Sequence, residues 1–247
     1  MNLSAENRSG IASKLADIYR DLSRELDQMR FSSPVFHVYN PLDYARSGFE
    51  QYLEYCRPGV PFVLLGMNPG PWGMVQTGVP FGDAQMVRDW LGIKAEPDKP
   101  EEEHLARPVH GLNCPRREVS GRRLWGWAKE DYRIPGNFFS RFFVSNYCPL
   151  AFLEESGRNR TPDKLQPAEK KQLFALCDKA LKKSLTIIRP AIVLGIGKFA
   201  ESRIQKACAG MNFKIGGIAH PSPASPLANK GWADLARNKI REYEKRL

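Results

Sequence analysis

The chain is poor in the residues that build metal centres and staples: it has five cysteines and four histidines in 247 residues. Cys56, Cys114, Cys148, Cys177 and Cys208 form no CxxC pair, and their number is odd. Zinc-ribbon, iron–sulfur and disulfide frameworks all need paired spacings, so each lacks its signature here. Free thiols in a reducing compartment account for the set, and no metal or other cofactor is expected. Long apolar runs are missing too, and no stretch approaches the roughly 20 residues of a membrane span. The polar stretch from Met1 to Leu15 has no apolar segment of an export signal. The expectation is a cytoplasmic protein without membrane association. There is also no internal repeat and no low-complexity linker, so residues 1–247 read as one domain, and a monomer is the expected state. In that reading N-terminal helices over about residues 5–57 pack on an α/β core over about 60–247.

Positive charge is what the chain has in excess. Lys and Arg total 37 against 27 Asp and Glu, a formal net charge of +10. Cationic side chains displace condensed counterions from nucleic acid, so this balance suits DNA as partner. Residues 158–206 alone carry twelve Lys/Arg against four Asp/Glu, most of them expected on solvated helix faces and a minority near DNA. With 42% hydrophobic and 26% charged residues, the composition is that of a globular protein able to bury a full core.

Hydrophobic spacing divides the chain. Leu15, Ile18, Tyr19, Leu22, Leu26 and Met29 recur at helical intervals over residues 11–29, and a second helix follows Pro41 with Tyr44, Leu53 and Cys56 among its apolar positions. Short apolar runs then appear at Pro61–Gly66, Phe142–Tyr147, Ala191–Gly195 and Phe213–Ile218. Between and after them lie helical patterns at about 83–91, 120–130, 168–187, 198–209 and 229 to the end. Buried strands alternating with helices give a three-layer αβα fold around a four-stranded, mainly parallel sheet. The proline-bearing stretch 93–118, with Glu101-Glu-Glu103, reads as a surface loop whose acidic run is solvated.

In open parallel sheets ligands bind beyond the carboxyl ends of the strands. That rule selects Gly66-Met-Asn-Pro-Gly-Pro-Trp-Gly-Met74, then Asn146 at the end of the second strand, then His220-Pro-Ser-Pro-Ala-Ser-Pro226 after the fourth. Asn68, Asn146 and His220 are therefore expected to converge on one mouth. Each alone has a plain structural reading: Asn before Pro forms turns, Asn ends strands, and a single His is often structural. Glycines at 66, 70, 73, 78 and 82 admit close approach of a flat ligand. Three prolines within six residues stiffen the loop after His220, as a probe inserted into another molecule would require. Gly195-Ile-Gly-Lys198 resembles a phosphate-binding turn but completes neither glycine-rich nucleotide motif, so its helix start is at most a contact for a DNA phosphate.

Six segments in order, Gly66–Met74, Gly78-Val-Pro-Phe-Gly82, Met86-Val-Arg-Asp-Trp-Leu-Gly92, Ser156-Gly-Arg-Asn159, His220-Pro-Ser-Pro223 and Asn229-Lys-Gly-Trp232, closely resemble the single-strand-selective monofunctional uracil-DNA glycosylases. The likeness runs from about residue 60 to 235. It implies the uracil-DNA glycosylase fold and excision of uracil, 5-hydroxymethyluracil and other oxidised uracils, leaving an abasic site without strand cleavage. It further implies that Phe81 stacks on the flipped base, that Asn146 reads its N3–H and O4, and that backbone near Met67 helps hold it. Gly70 would leave room for a substituent on C5. Asn68 would position water, and His220 would donate to O2 of the departing base. Pro221, Ser222, Pro223, Ala224 and Ser225 would meet DNA, as would Lys230. Ala224 and Ser225 depart from the family, whose members carry bulkier residues there, including an arginine that fills the gap left by the flipped base. Two rival readings share these features: a branch of the superfamily preferring the deaminated purines xanthine and hypoxanthine, and a non-catalytic binder of damaged single strands.

Overall fold

The fold is described from a computed structural model covering residues 5–226 and 228–245. Residues 1–4 of the polar N-terminal stretch, Leu227, and the last two residues of the expected C-terminal helix lie outside the described residues.

Helix α1 (Ala5–Asp27) buries Leu15, Leu22 and Leu26 along one stripe. Strand β1 (His37–Tyr39) leads to α2 (Pro41–Tyr44), which Pro41 starts and the Asn40 side chain caps by accepting from Leu42 N–H. The single helix expected after Pro41 is in fact two, α2 and α3 (Arg46–Leu53). They part at Ala45, whose backbone leaves the helical region where Gly78 packs against it, and buried Cys56 lies beyond the end of α3. Next come β2 (Phe62–Gly66), α4 (Met74–Thr77), α5 (Ala84–Asp89), α6 (Val119–Tyr132) and α7 (Pro135–Phe139). Then follow β3 (Phe142–Asn146), β4 (Ala151–Leu153), β5 (Asn159–Arg160) and α8 (Pro167–Ile188). The chain closes with β6 (Ile192–Ile196), α9 (Lys198–Ala207), β7 (Lys214–Ile218) and α10 (Trp232–Glu244). The last helix starts at Trp232, later than its sequence pattern suggests, because a 3₁₀ turn at Ala228–Lys230 and Gly231 at φ 112° precede it.

The four apolar runs form one parallel sheet in the order β3-β2-β6-β7. Register puts Leu65 level with Ser145 and Gly195, and Gly195 level with Gly217, on one face. That face receives Tyr19 of α1, which hydrogen-bonds Ser145 at 3.1 Å, Tyr52 of α3, stacked on Phe143, and α9, whose Glu201 backbone touches Gly195. The opposite face receives Trp127 of α6 and Phe138 of α7 on Phe142, and Tyr243 of α10 against Gly216. Helices thus cover both faces, which is why β2 and β6 are buried at every position and read as unbroken apolar runs.

Two features depart from the sequence reading. β1, β4 and β5 form a small antiparallel sheet of three strands. The stretch 93–118 is irregular, apart from a 3₁₀ turn at Gly111–Asn113, but it does not lie on the surface throughout. Ile93, His104, Val109, Leu112 and Cys114 are buried, and Glu103 accepts from the Val109 N–H at 2.7 Å, while Glu101 and Glu102 stay exposed. Among the described residues, no helix is long and apolar enough to cross a membrane.

Candidate active site

β2, β3 and β7 end at Gly66, Asn146 and Ile218, and the loops beyond them open a cavity of about 340 Å³. Met67, Asn68, Gly70, Phe81, Asn146 and His220 all line it. The sheet fixes this meeting: Gly66 is level with Asn146, and the next backbone bonds, Tyr147 N–H to Gly66 O and Cys148 N–H to Met67 O, tie the two loops together.

Each polar side chain is oriented by its neighbours. The Asn68 amide nitrogen donates to the Leu150 carbonyl at 3.2 Å, which leaves the side-chain oxygen to accept a proton donor. The Asn146 amide nitrogen donates to Met74 Sδ at 3.4 Å, and its oxygen lies directly over Gly66, where any Cβ would collide with it. That same Cβ would stand 2.6 and 2.8 Å from the ring edge of Phe81. Gly66 is thus the floor on which both side chains rest.

Phe81 holds a left-handed backbone, φ 55°, uncommon for a bulky residue and found where surroundings over-determine it. Here the surroundings are visible. Its carbonyl accepts from Asp83 N–H at 2.8 Å and from Trp125 Nε1 at 3.1 Å, and Gly121 of α6 lets that carbonyl press against the helix. The ring is thereby held as one wall, its centroid 6.1 Å from that of His220.

His220 accepts the Ser222 N–H at Nδ1, 3.0 Å away, so its proton sits on Nε2. Burial pushes its pKa below the ordinary histidine value, which keeps the ring neutral near pH 7. Gly197 backs the ring, with its backbone N–H bonded to Ile218 O at 2.9 Å. The Gly195–Lys198 turn therefore buttresses His220, and the Lys198 side chain extends into solvent beside Glu201.

Beyond His220 the loop is tied down at several points. Arg123 of α6 donates to Pro221 O and to Asn229 Oδ1, each at 2.9 Å, and Asn229 donates to Pro223 O at 2.8 Å. Trp232 Nε1 donates to Ala219 O at 2.7 Å, and Ala224 N–H to Ser222 Oγ at 3.1 Å. Of the loop residues singled out in the sequence, Ser222 alone lines the cavity; Pro221 is buried, and Pro223, Ala224 and Lys230 face solvent.

Sequence reasoning assigned nothing to Glu118, Asn159 and Thr161, which also line the cavity. Asn159 arrives on β5, donates to Pro69 O at 3.4 Å, and keeps a buried side-chain oxygen with no partner among the described residues. Glu118 sits at the start of α6, where Oε1 accepts from Ser120 N–H at 2.9 Å. Its own N–H donates to Asp83 Oδ2 at 3.1 Å, and fully buried Asp83 is clasped by Arg117 through two bonds of 2.8 Å. Loss of water around the Glu118 carboxyl raises its pKa, with the charge of Asp83 adding to the effect and bonds from Ser120 and Gly121 opposing it. The one sequence cue was an acidic residue just before a helix, which marks a cap and says nothing of a cavity.

Residues 53–242 match the model of the uracil DNA glycosylase superfamily. The chain is 46% identical over 224 residues to a single-strand selective monofunctional uracil-DNA glycosylase of Rattus norvegicus, covering 90% of this chain and 81% of that one. The Bos taurus protein of the same name is 45% identical over 90% of this chain and 82% of its own. The fold is also that of the crystal structure of wild-type SMUG2 from Pedobacter heparinus, with a TM-score of 0.66 at 19% identity over 94% of this chain and 97% of that one.

Proposed function

The chain belongs to the uracil DNA glycosylase superfamily, and we propose that it hydrolyses the N-glycosidic bond of uracil and 5-substituted uracils in DNA, leaving an abasic site. The observation that carries this reading is the meeting of Asn68, Asn146 and His220 beside the Phe81 ring in one cavity. The curated relatives, named as uracil-DNA glycosylases over four fifths of their length, support the same activity.

A base turned out of the DNA stacks on Phe81. Asn146 accepts from its N3–H and donates to O4, while backbone near Met67 helps to hold the ring. Cytosine presents the reverse polarity at both atoms and leaves both groups unpaired. The Asn68 amide cannot take a proton near neutral pH, so it positions water through its free oxygen rather than acting as a general base. The C1′–N1 bond consequently breaks ahead of water addition. Its electron pair passes into the base and gathers on O2, where neutral His220 donates through Nε2–H. Preorganised donation to a developing oxyanion is worth about 3–4 kcal/mol per donor. Water then adds to C1′ of the oxocarbenium-like sugar and loses its proton, which balances the charge left on the base.

The anchored loop of Pro221, Ser222, Pro223, Ala224 and Ser225 enters the DNA, and Lys230 lies beside the phosphates. One chain, acting as a single domain and a monomer, supplies every group of the site. Five free and buried thiols suit work in a reducing cytoplasm. The test is a panel of single- and double-stranded oligonucleotides bearing uracil, 5-hydroxymethyluracil, xanthine or thymine. Release of the two uracils, with an alkali-labile abasic product and no strand break, is expected. Release of xanthine alone would replace the reading by the deaminated-purine one, and no release at all by a binding protein.

A further inference from the structure

Trp72 sits in the loop after β2 between Gly70 and Gly73, which both line the cavity, yet its half-buried indole does not. Two cations stand on that ring. The guanidinium carbon of Arg107 lies 5.3 Å from a ring centroid of Trp72, and that of Arg116 lies 5.2 Å from it. Both arginines come from the irregular stretch 93–118; Arg107 is half-buried and Arg116 is exposed.

The segments that carry these side chains are fixed. Buried Gln76 donates to Pro71 O at 2.9 Å and to Pro108 O at 3.0 Å, so one amide ties the residue before Trp72 to the residue after Arg107. The Gln76 oxygen accepts from the His110 N–H at 2.7 Å. The Tyr39 hydroxyl donates to Arg107 O at 3.0 Å, and the Cys114 thiol to Arg116 O at 3.6 Å. What the two guanidinia lack is an anion. Arg107 donates to the Ala106 carbonyl at 2.8 Å, and its buried Nε has no partner among the described residues. Among those residues neither Arg107 nor Arg116 belongs to an ion pair, although the adjacent Arg117 is clasped to Asp83 and Arg160 to Glu154. Two like charges on one ring repel each other, and the ring attracts each of them only modestly. An anion set against both removes the repulsion and takes up free N–H donors.

We infer that Arg107 and Arg116, braced on Trp72, clamp one backbone phosphate of the strand whose base enters the cavity. The inference rests on the reading of the cavity given above. A nucleotide with its base inside keeps its two flanking phosphates outside, and the clamp stands at the rim beside Gly70 and Gly73. A planar guanidinium can meet two phosphate oxygens at once, and stacking on an indole orients that plane without using its N–H groups. A base seeking the same ring would have to displace the guanidinia, so the ligand is the phosphodiester. The clamp holds only the strand that carries the target base, and so serves single strands as well as duplexes.

The test uses the full chain and single-stranded oligonucleotides with one uracil, in which single phosphates are replaced by neutral methylphosphonates. In wild type, neutralising one of the two linkages that adjoin the uracil should raise KM roughly tenfold, the scale of one charge-assisted bond. Arg107→Gln and Arg116→Gln should each raise KM on the unmodified strand by about the same factor, with the loss in KM rather than kcat. At that one linkage the variant and the methylphosphonate should not add, because both remove the same contact; at remote linkages they should add. The affinity of Arg116→Gln for an undamaged single strand should also fall less steeply with salt, its log–log slope reduced by about 0.7. Poor folding lowers activity on every strand alike and gives no such dependence on one linkage. Additive effects at every linkage, or wild-type KM and salt slope in Arg116→Gln, would overturn the inference. Failure of wild type to release uracil would instead overturn the glycosylase reading beneath it.

Discussion

The backbone N–H of Ser222 donates to Nδ1 of His220 at 3.0 Å, and this bond decides which ring nitrogen meets a ligand. Nδ1 is an acceptor, so the Nε2–H tautomer is the one presented. Protonating Nδ1 would set two donors against each other and disturb the loop that begins there. Long-range ¹H–¹⁵N spectra of histidine-labelled protein should show this tautomer near pH 7 and a midpoint below 6.5. Folding lowers the pKa, so the unfolded chain binds more protons than the folded one below that value. His220 therefore removes stability as pH falls through that range and has no such effect above it. An Nδ1–H tautomer, or a midpoint above 6.5, would contradict the assignment.

Gly66→Ala should damage the site from beneath. The new methyl meets the Asn146 side-chain oxygen and the Phe81 ring, and β2 is paired on both sides and cannot retreat. Overpacking of this kind costs about 1–3 kcal/mol, so uracil excision should fall about tenfold or more with some loss of stability. Gly126→Ala is the control. It lies inside α6 with nothing within 4 Å of the added Cβ, and it should raise stability by about 0.5–1 kcal/mol with excision unaltered. Paired assays and melts of the two variants would check this.

Asn146→Asp should weaken uracil excision, because an ionised carboxylate has no donor for O4. It can accept from the exocyclic amine of cytosine, so slight cytosine release is expected alongside. Undiminished uracil excision by the variant would assign base reading to another group.

Ala224 is exposed near the tip of the anchored loop and has only a methyl to offer a gap in stacked DNA. Turning a base out of a duplex costs a few kcal/mol, roughly, and a single strand has no pairing to break. Excision should therefore be fastest on single strands, slower on U·G and slowest on U·A. Ala224→Arg should speed the duplex reactions selectively. Equal rates on all three substrates in wild type, unmoved by the substitution, would place the wedge elsewhere.

Much of the fold was legible because β2, β3 and β6 are short apolar runs buried at nearly every position, while β7, at the sheet edge, is a weaker run with Lys214 exposed. Strand-end geometry then sufficed to bring Asn68, Asn146 and His220 to one mouth. The small sheet was not legible, since β1 and β4 have three residues each and β5 has two, too few for any period to register. Asn159 and Thr161 reach the cavity by way of β5, so they were missed with it. Glu118 ends a stretch rich in proline and charge that reads as solvated. Its place in the cavity depends on Asp83 and on the two glycines opposite, contacts between segments that no local pattern records.

The central claim is that catalysis rests on His220 holding charge on the departing base. Single-turnover release of uracil from a single-stranded oligonucleotide, compared between wild type and His220→Ala, tests it most directly, with DNA affinity measured in parallel. The account expects a fall of roughly two to three orders of magnitude in the chemical step, with binding little changed. Release at near the wild-type rate by His220→Ala would contradict it.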